Sequence, residues 1–290
     1  MANFMDYIAL GYTLILTPLY VFFTIRLGWK LYYKKTPDLI NGFFPILFFK
    51  GCVDNTTNIV QLLTGRILKF RILEDFFLNN DYPAYILYFT TATTYCLMYQ
   101  ITFLIAFNRY VAMTKPTKYK ELFQFKRLHT YIVLTLIPGL ISGLVAICFK
   151  LDYVWYPSLN RVLPVYTQSG IEYYHATFSI VFNLPLLCIT TWMNVKSFLK
   201  DKKVFTKLYL INSIDSQLFL YNIISFVTMI GFEFYYFSRY VPYILKELMF
   251  LEAIAVEMIP WFLDIMTYGL WILSMIILKP LRLLMPCFKK

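Results

Sequence analysis

Seven stretches, near residues 7–28, 39–63, 83–107, 129–149, 175–195, 208–237 and 253–278, are each apolar over about 20 residues. That is the length an α-helix needs to cross a hydrocarbon core about 30 Å thick. None of the stretches shows the period-2 alternation of a membrane barrel, so helices are the only way left to satisfy their backbones in lipid. With 59% hydrophobic and only 15% charged residues, a chain of this length has more apolar surface than a soluble core can bury. The expected fold is an all-α membrane protein, a single seven-transmembrane helix bundle over residues 1–290 with a short tail from 279. Internal charges lower the hydropathy of the second, sixth and seventh stretches.

The basic residues set the orientation. Arg26, Lys30, Lys34 and Lys35 follow the first span, six Lys and Arg from Arg109 to Arg127 follow the third, and five from Lys196 to Lys207 follow the fifth. With the tail this puts 19 positive residues on one side against seven on the other, so the N-terminus is expected outside and the C-terminus in the cytoplasm. The first run lacks a basic leader and reads as an anchor, not a cleaved signal. The net charge of +11 is spread between apolar runs and forms no nucleic-acid groove, so anionic lipid is the expected partner of most lysines. Asn55-Thr56-Thr57 fits a glycosylation pattern but falls at membrane depth and is discounted. Cys52, Cys96, Cys148 and Cys188 fall within spans and predict no structural disulfide; Cys287, past the last span, reads equally as a palmitoylation site or a plain thiol.

Lys50, Asp54, Asp215, Glu257 and Asp264 lie inside spans, where each costs about 2.5–3.5 kcal/mol if it faces lipid at the centre. They are therefore expected to face a shared interior. Lys50, Asp54, Asn58 and Gln61 share one helical face, and so do Glu257, Trp261, Asp264 and Tyr268. Lys50 with Asp54 reads either as a charge-paired switch or as a static intrahelical pair. Glu257 and Asp264 have no cation on their own helix, and Lys50 is one candidate to serve them. Asp215 reads as a closed-state partner for Arg109 or as a plain hydrogen-bonding acid.

The third span ends Phe107-Asn108-Arg109-Tyr110-Val111-Ala112-Met113, followed by Pro116 and Tyr119. This run resembles the third-helix end and second inner loop of rhodopsin-like receptors. The N-R-Y start with a later P-x-x-Y is similar to the nematode serpentine chemoreceptors, most of all the gamma class. Asp264, Thr267, Trp271-Ile272-Leu273, Ser274 and Arg282 resemble that family's seventh helix. The departures are specific. Gly269-Leu270 stands where N-P is expected, the sixth span has no W-x-P and no proline, and the first lacks the usual asparagine. Asp264 and Tyr268 keep the spacing of the Asn and Tyr in N-P-x-x-Y, whereas the W-I-L match places Gly269 at the Asn; both registers stay open.

The resemblance implies a chemosensory G protein-coupled receptor in the plasma membrane, in the cilia of sensory neurons. It implies that a small molecule, an odorant or pheromone, binds between the outer halves of helices three, five, six and seven, and that a heterotrimeric G protein is activated at the inner face. The ligand-binding candidates are Thr91, Tyr95, Cys96, His175, Glu233, Glu257 and Trp261. Each has a plain rival: His175 as an interfacial residue, the tyrosine as packing, Glu233 as a solvated acid. The switch candidates are Lys50, Asp54, Asp215, Asp264 and Tyr268. The G protein surface is expected at Asn108, Arg109, Tyr110, Pro116 and Tyr119. Pro138, Pro185 and Pro260 are expected to loosen helices four, five and seven. The outer loop near 150–174, with Trp155, Pro157 and Pro164, is expected across the pocket mouth. A receptor dimer is compatible with the sequence.

Other function classes fare worse. No metal-ligand spacing, paired histidines or nucleophile with a base appears, so neither a cofactor, a metal nor an enzyme is expected. A transporter or channel whose ion path is lined by the five buried charges is the alternative, but the chain shows no inverted repeat.

Overall fold

The computed structural model describes residues 4–39, 42–156, 161–168, 170–200, 214–244, 258, 260–282 and 284–285. Its body is a helix bundle. In chain order come α1 (Phe4–Gly28), α2 (Phe43–Gln61), a short α3 (Glu74–Leu78), α4 (Tyr82–Thr114), a short α5 (Pro116–Leu122) and α6 (Phe125–Ala146). A hairpin of β1 (Leu151–Tyr156) and β2 (Arg161–Tyr166) follows. Then come α7 (Ile171–Phe178), α8 (Leu184–Lys200), α9 (Ile214–Ile244), α10 (Pro260–Ile277) and a closing turn, α11 (Lys279–Arg282). The structure is that of the all-α membrane bundle expected from the sequence.

The bundle is apolar on both sides of its wall. Phe43, Phe44, Ile46, Ile101, Ile105, Tyr221 and Phe232 are fully enclosed. Large aliphatic side chains such as Ile15, Ile25, Val133, Ile137, Ile141, Val181 and Ile276 point outward. In water such a surface would drive aggregation, and in a bilayer it is the lipid face. Among the described residues, five helices are long and apolar enough to cross a membrane by length and composition: Phe4–Tyr33, Phe125–Ala146, Tyr173–Lys200, Gln217–Tyr235 and Pro260–Ile277. α2 and α4 are not among them, because they carry the interior polar groups. Buried Lys50, Asp54, Asn55 and Asn58 lie on α2, and buried Gln100, Asn108 and Arg109 on α4. The low hydropathy of α4 was not anticipated from its sequence, and α9 runs past the expected sixth span to take in Pro242 near its end.

α4 is the axis of the bundle, and its closest neighbour is α6. Gly139 and Gly143 make that approach possible: a methyl group on Gly143 would sit 2.1 Å from Thr93 Oγ1 and 2.8 Å from the Phe89 carbonyl oxygen. A methyl on Gly139 would sit 2.9 Å from Leu97 Cγ. Small residues one turn apart let two backbones pack without a hydrophobic driving force, which lipid does not supply.

Among the described residues four π turns interrupt the helices, at Trp29–Tyr33, Leu62–Arg66, Ser179–Asn183 and Ile265–Gly269. The third has a local cause. Pro185 has no N–H and its ring crowds the carbonyl four residues back, at Val181, which lies inside that turn. Widening the helix there removes the clash.

The hairpin closes one end. β1 and β2 pair antiparallel from Leu151 with Tyr166 to Tyr156 with Arg161. Leu151, Tyr153 and Val162 cover Leu68, Phe77 and Ala84 in a small core of their own. Tyr88 donates to the Pro164 carbonyl at 2.9 Å, and Tyr153 donates to the Thr64 carbonyl at 3.1 Å. Burial pushes the Tyr153 phenol above its ordinary pKa and keeps it a donor. The hairpin thus rests on α3, α4 and the end of α2; Pro157 lies outside the described residues.

Replacing Gly143 by Val should shift the Thr93 and Phe89 contacts and cost at least the roughly 1–3 kcal/mol of an overpacked core. Gly11→Val, at a site with nothing within 4 Å, should cost little. Thermal unfolding of the two purified variants in detergent should separate them by several degrees.

Candidate functional site

A polar seam runs through the interface of α1, α2 and α10. Near its middle the Lys50 ammonium contacts Asp54 Oδ2 at 2.5 Å, one helical turn away on α2. Tyr20 of α1 donates to the same oxygen at 2.7 Å. Lys50 also donates to the Met266 carbonyl of α10 at 3.0 Å. In a regular helix that carbonyl would accept from Leu270 N–H. Here the π turn sends the Leu270 N–H to Ile265 and Thr267 oxygens instead. The extra residue in the turn therefore goes with a backbone acceptor turned toward Lys50. Gly269 and Leu270, which replace N-P, lie at this turn, so a helix irregularity exists there without a proline.

Side chains on the same three helices continue the seam. Thr267 donates to Asn58 Oδ1 at 3.2 Å, and Asn55 donates to Thr24 Oγ1 at 2.9 Å. The hydroxyls of Thr17 and Tyr268 lie 2.6 Å apart. The Trp271 ring stacks on Tyr20 with centroids 4.7 Å apart. Lys50 and Asp54 are 5% and 0% exposed, so neither charge has water to fall back on.

Nearer the hairpin end, Asp264 of α10 forms a salt bridge to Arg66, which lies in the π turn closing α2. Tyr12 of α1 donates to the other carboxylate oxygen, and Arg66 also reaches Thr13 Oγ1 at 2.6 Å. Lys69, in the turn after Arg66, adds a second pair, to Asp6 of α1, at 2.6 Å. This corrects one expectation: Asp264 is served by Arg66, and Lys50 stays with Asp54. Among the described residues Lys50 with Asp54 and Asp264 with Arg66 form two separate groups instead of sharing one cavity. Their partners settle it, since Arg66 carries a long arm at the end of α2 and Lys50 is within a turn of its own acid.

On the other side of the bundle stands Glu233 of α9. Tyr99 of α4 donates to Glu233 Oε2 at 2.6 Å, and Ser179, at the head of the π turn between α7 and α8, donates to Oε1. Tyr95 meets the Phe232 ring edge-on at 4.8 Å beside it. Glu233 is thus held by two other elements, α4 and the π turn, and is not simply solvated. Of the other ligand candidates, Thr91 accepts from Gln61 at 3.1 Å, and Cys96 is buried and accepts from Gln100 at 3.2 Å. His175 packs against Tyr174 and Tyr166 near the hairpin. Trp261 is half-buried on α10. Glu257 and the side chain of Asp215 lie outside the described residues, so no pairing of Asp215 with Arg109 is described.

At the far end of α4, Arg109 is only 3% exposed. Its guanidinium lies 5.8 Å from the centre of the Phe43 ring and donates to Asn108 Oδ1 at 3.3 Å. Asn108, fully buried, donates to Tyr119 on α5 at 3.2 Å, and Tyr119 stacks on Phe123. Tyr110 packs against Trp192 of α8, and Pro116 opens α5. The arginine was expected to open onto the cytosol; in this conformation it is covered by the first turn of α2.

Sequence reasoning missed Arg66, Tyr12, Tyr20, Tyr99 and Ser179 as partners. Arg66 was counted only as a loop charge. The first helix did carry a signal: Thr13, Thr17, Tyr20 and Thr24 step by four, three and four, the same spacing as Glu257, Trp261, Asp264 and Tyr268. Among the described residues no group of three or more His, Cys, Asp or Glu is placed to hold a metal ion.

The profile of the family described as Serpentine type 7TM GPCR chemoreceptor Srv matches residues 9–282. The class it names is Srv, which corrects the gamma class suggested by the motifs. No curated protein matches the chain.

Breaking one side of the buried Lys50–Asp54 pair leaves the other charge uncompensated, at a cost of about 3–5 kcal/mol. Lys50→Met and Asp54→Leu should each lower the unfolding temperature by many degrees. The double variant should recover most of the loss, because it removes both desolvation costs together; a double variant as unstable as the sum would show that the pair does not act as a unit.

Proposed function

Because the chain belongs to the Serpentine type 7TM GPCR chemoreceptor Srv family, a multi-pass membrane family of chemosensory receptors and not of enzymes, we propose the following function. It binds a small extracellular molecule in the half of the bundle nearer the hairpin and activates a heterotrimeric G protein at the Arg109 end. The observation that carries this reading is the closed arrangement at the end of α4. Arg109 and Asn108 are buried, Phe43 lies over the guanidinium, and α5 is tied beneath them through Tyr119. A buried guanidinium carries a desolvation cost that a hydrophobic residue at the same place would not. A role that requires its exposure in a second conformation accounts for that cost. A ligand that swings such an equilibrium from about 1:99 to 99:1 must prefer the open state by about 5.5 kcal/mol.

The remaining parts of the proposal rest on the distribution of basic residues and on the family. The N-terminus is outside, the basic loops and Asn108, Arg109, Tyr110, Pro116 and Tyr119 face the cytosol, and the receptor works in the plasma membrane of ciliated sensory neurons. The ion-path alternative is weakened by the pairing of its charges, since Lys50 with Asp54 and Arg66 with Asp264 neutralise each other locally.

The test is guanine-nucleotide exchange on heterotrimeric G proteins by the receptor in nanodiscs, challenged with pooled small metabolites and set beside a conductance recording. Ligand-stimulated exchange without current is expected, and Arg109→Ala should reduce stimulated exchange at least tenfold while leaving ligand binding in place. Tyr119→Phe, which removes the bond to Asn108, should raise basal exchange. Current without exchange would sink the reading.

A further inference from the structure

The acid at Glu233 points to the chemical class of the ligand. Its carboxylate lies where α4, the α7–α8 π turn and α9 meet, nearer the hairpin than Arg109 is. Among the described residues its partners are two hydroxyls, Tyr99 and Ser179, and no cation. The other interior acids among the described residues, Asp54 and Asp264, each have a lysine or arginine in contact. Glu233 therefore differs from them in kind. Both hydroxyl hydrogens are already spent on the carboxylate, so what the site has left to offer is acceptors. One turn along from Ser179, buried Asn183 adds an amide oxygen without a hydrogen-bond partner. The rings of Tyr95, Tyr99, Phe232 and Tyr235 pack around the same stretch, with Phe232 within 4.8 to 6.2 Å of each of the others. The carboxylate, the amide oxygen and the aromatic faces all attract a positive donor.

We infer that the ligand is a small organic ammonium ion whose N–H groups replace or share the hydroxyl bonds of Tyr99 and Ser179 on Glu233. The inference rests on the receptor reading only for its biological meaning; the cation site is a property of the bundle. It also suggests how binding reaches the rest of the protein. Glu233 is held by α4 and by the π turn above α8, so a cation that takes over those bonds frees Tyr99 and Ser179 to move relative to α9. Tyr99 and Arg109 lie on the same helix, ten residues apart.

The experiment uses the full chain in nanodiscs and three amines of graded size, 2-methylpropylamine, cyclohexylamine and 2-phenylethylamine. Neutral 2-phenylethanol and anionic phenylacetate are the matched controls. At neutral pH at least one amine should bind at least tenfold more tightly than either control, and Glu233→Gln should remove that preference. Glu121→Gln, at an exposed ion pair with Arg127, should not. Glu233→Asp, which keeps the charge, should keep part of the preference and guards against misfolding of the Gln variant. Binding of no amine, equal binding of the alcohol, or an amine preference that survives Glu233→Gln overturns the inference. The two readings fail separately: amine binding without any nucleotide exchange counts against the receptor function alone, and exchange driven by a neutral or anionic compound that ignores Glu233→Gln counts against the ammonium ligand alone.

Discussion

The contact on which this architecture depends is the one between the Lys50 ammonium and the Asp54 carboxylate, inside a bundle whose outer wall is hydrocarbon. A charge at that depth has no water to return to, so every neighbour must be arranged to answer it. Tyr20 supplies a second donor to Asp54 from α1, and the Met266 carbonyl supplies a second acceptor to Lys50 from α10. One ion pair on α2 thereby fixes the rotation of two other helices. The Thr17–Tyr268 and Asn58–Thr267 contacts extend the same seam, and the Arg66–Asp264–Tyr12 cluster repeats the arrangement nearer the hairpin. The α1–α2–α10 side is tied together by polar contacts. Among the described residues the α4–α8–α9 side shows fewer of them, and its acid, Glu233, is held by hydroxyls.

That asymmetry suits a receptor. A wall that is cross-linked by ion pairs serves as a frame, and a wall held by hydroxyls and aromatic edges can rearrange at lower cost. The π turns fall at the points where the two requirements meet. The turn at Ile265–Gly269 accompanies the exposure of the Met266 carbonyl to Lys50, and the turn at Ser179–Asn183 brings Ser179 to Glu233 ahead of Pro185. Such bulges add one residue to a helix and re-aim the groups around it without breaking it. In this chain they stand at a Gly-Leu and before a proline, which shows two different local sequences reaching the same device.

The opposite end of the bundle is closed by aromatic packing. Phe43 covers Arg109, Tyr119 ties α5 to Asn108, and Tyr110 packs on α8. These are contacts of modest individual strength, about 0.5–1.5 kcal/mol for an aromatic pair, and together they suffice to hold one conformation without making it permanent.

How much of this was written in the sequence depends on whether the signal is local. The length of the apolar runs, the inward stripe of Lys50, Asp54 and Asn58, and the run from Phe107 to Tyr119 are properties of single helices, and periodicity reads them directly. The class within the family was misjudged from two short motifs, because a whole-length match weighs hundreds of positions against their dozen. The partners were not legible. Arg66 with Asp264 and Tyr99 with Glu233 join residues far apart in the chain, and which helix faces which is a question of packing. The sequence by itself determined the solvent, the helices and which faces turn inward, since lipid leaves the backbone and the charges few other choices. The tertiary structure alone decided which acid keeps a cation and which does not, because small residues on α6, π turns ahead of α8 and within α10, and the reach of individual side chains set the distances between helices.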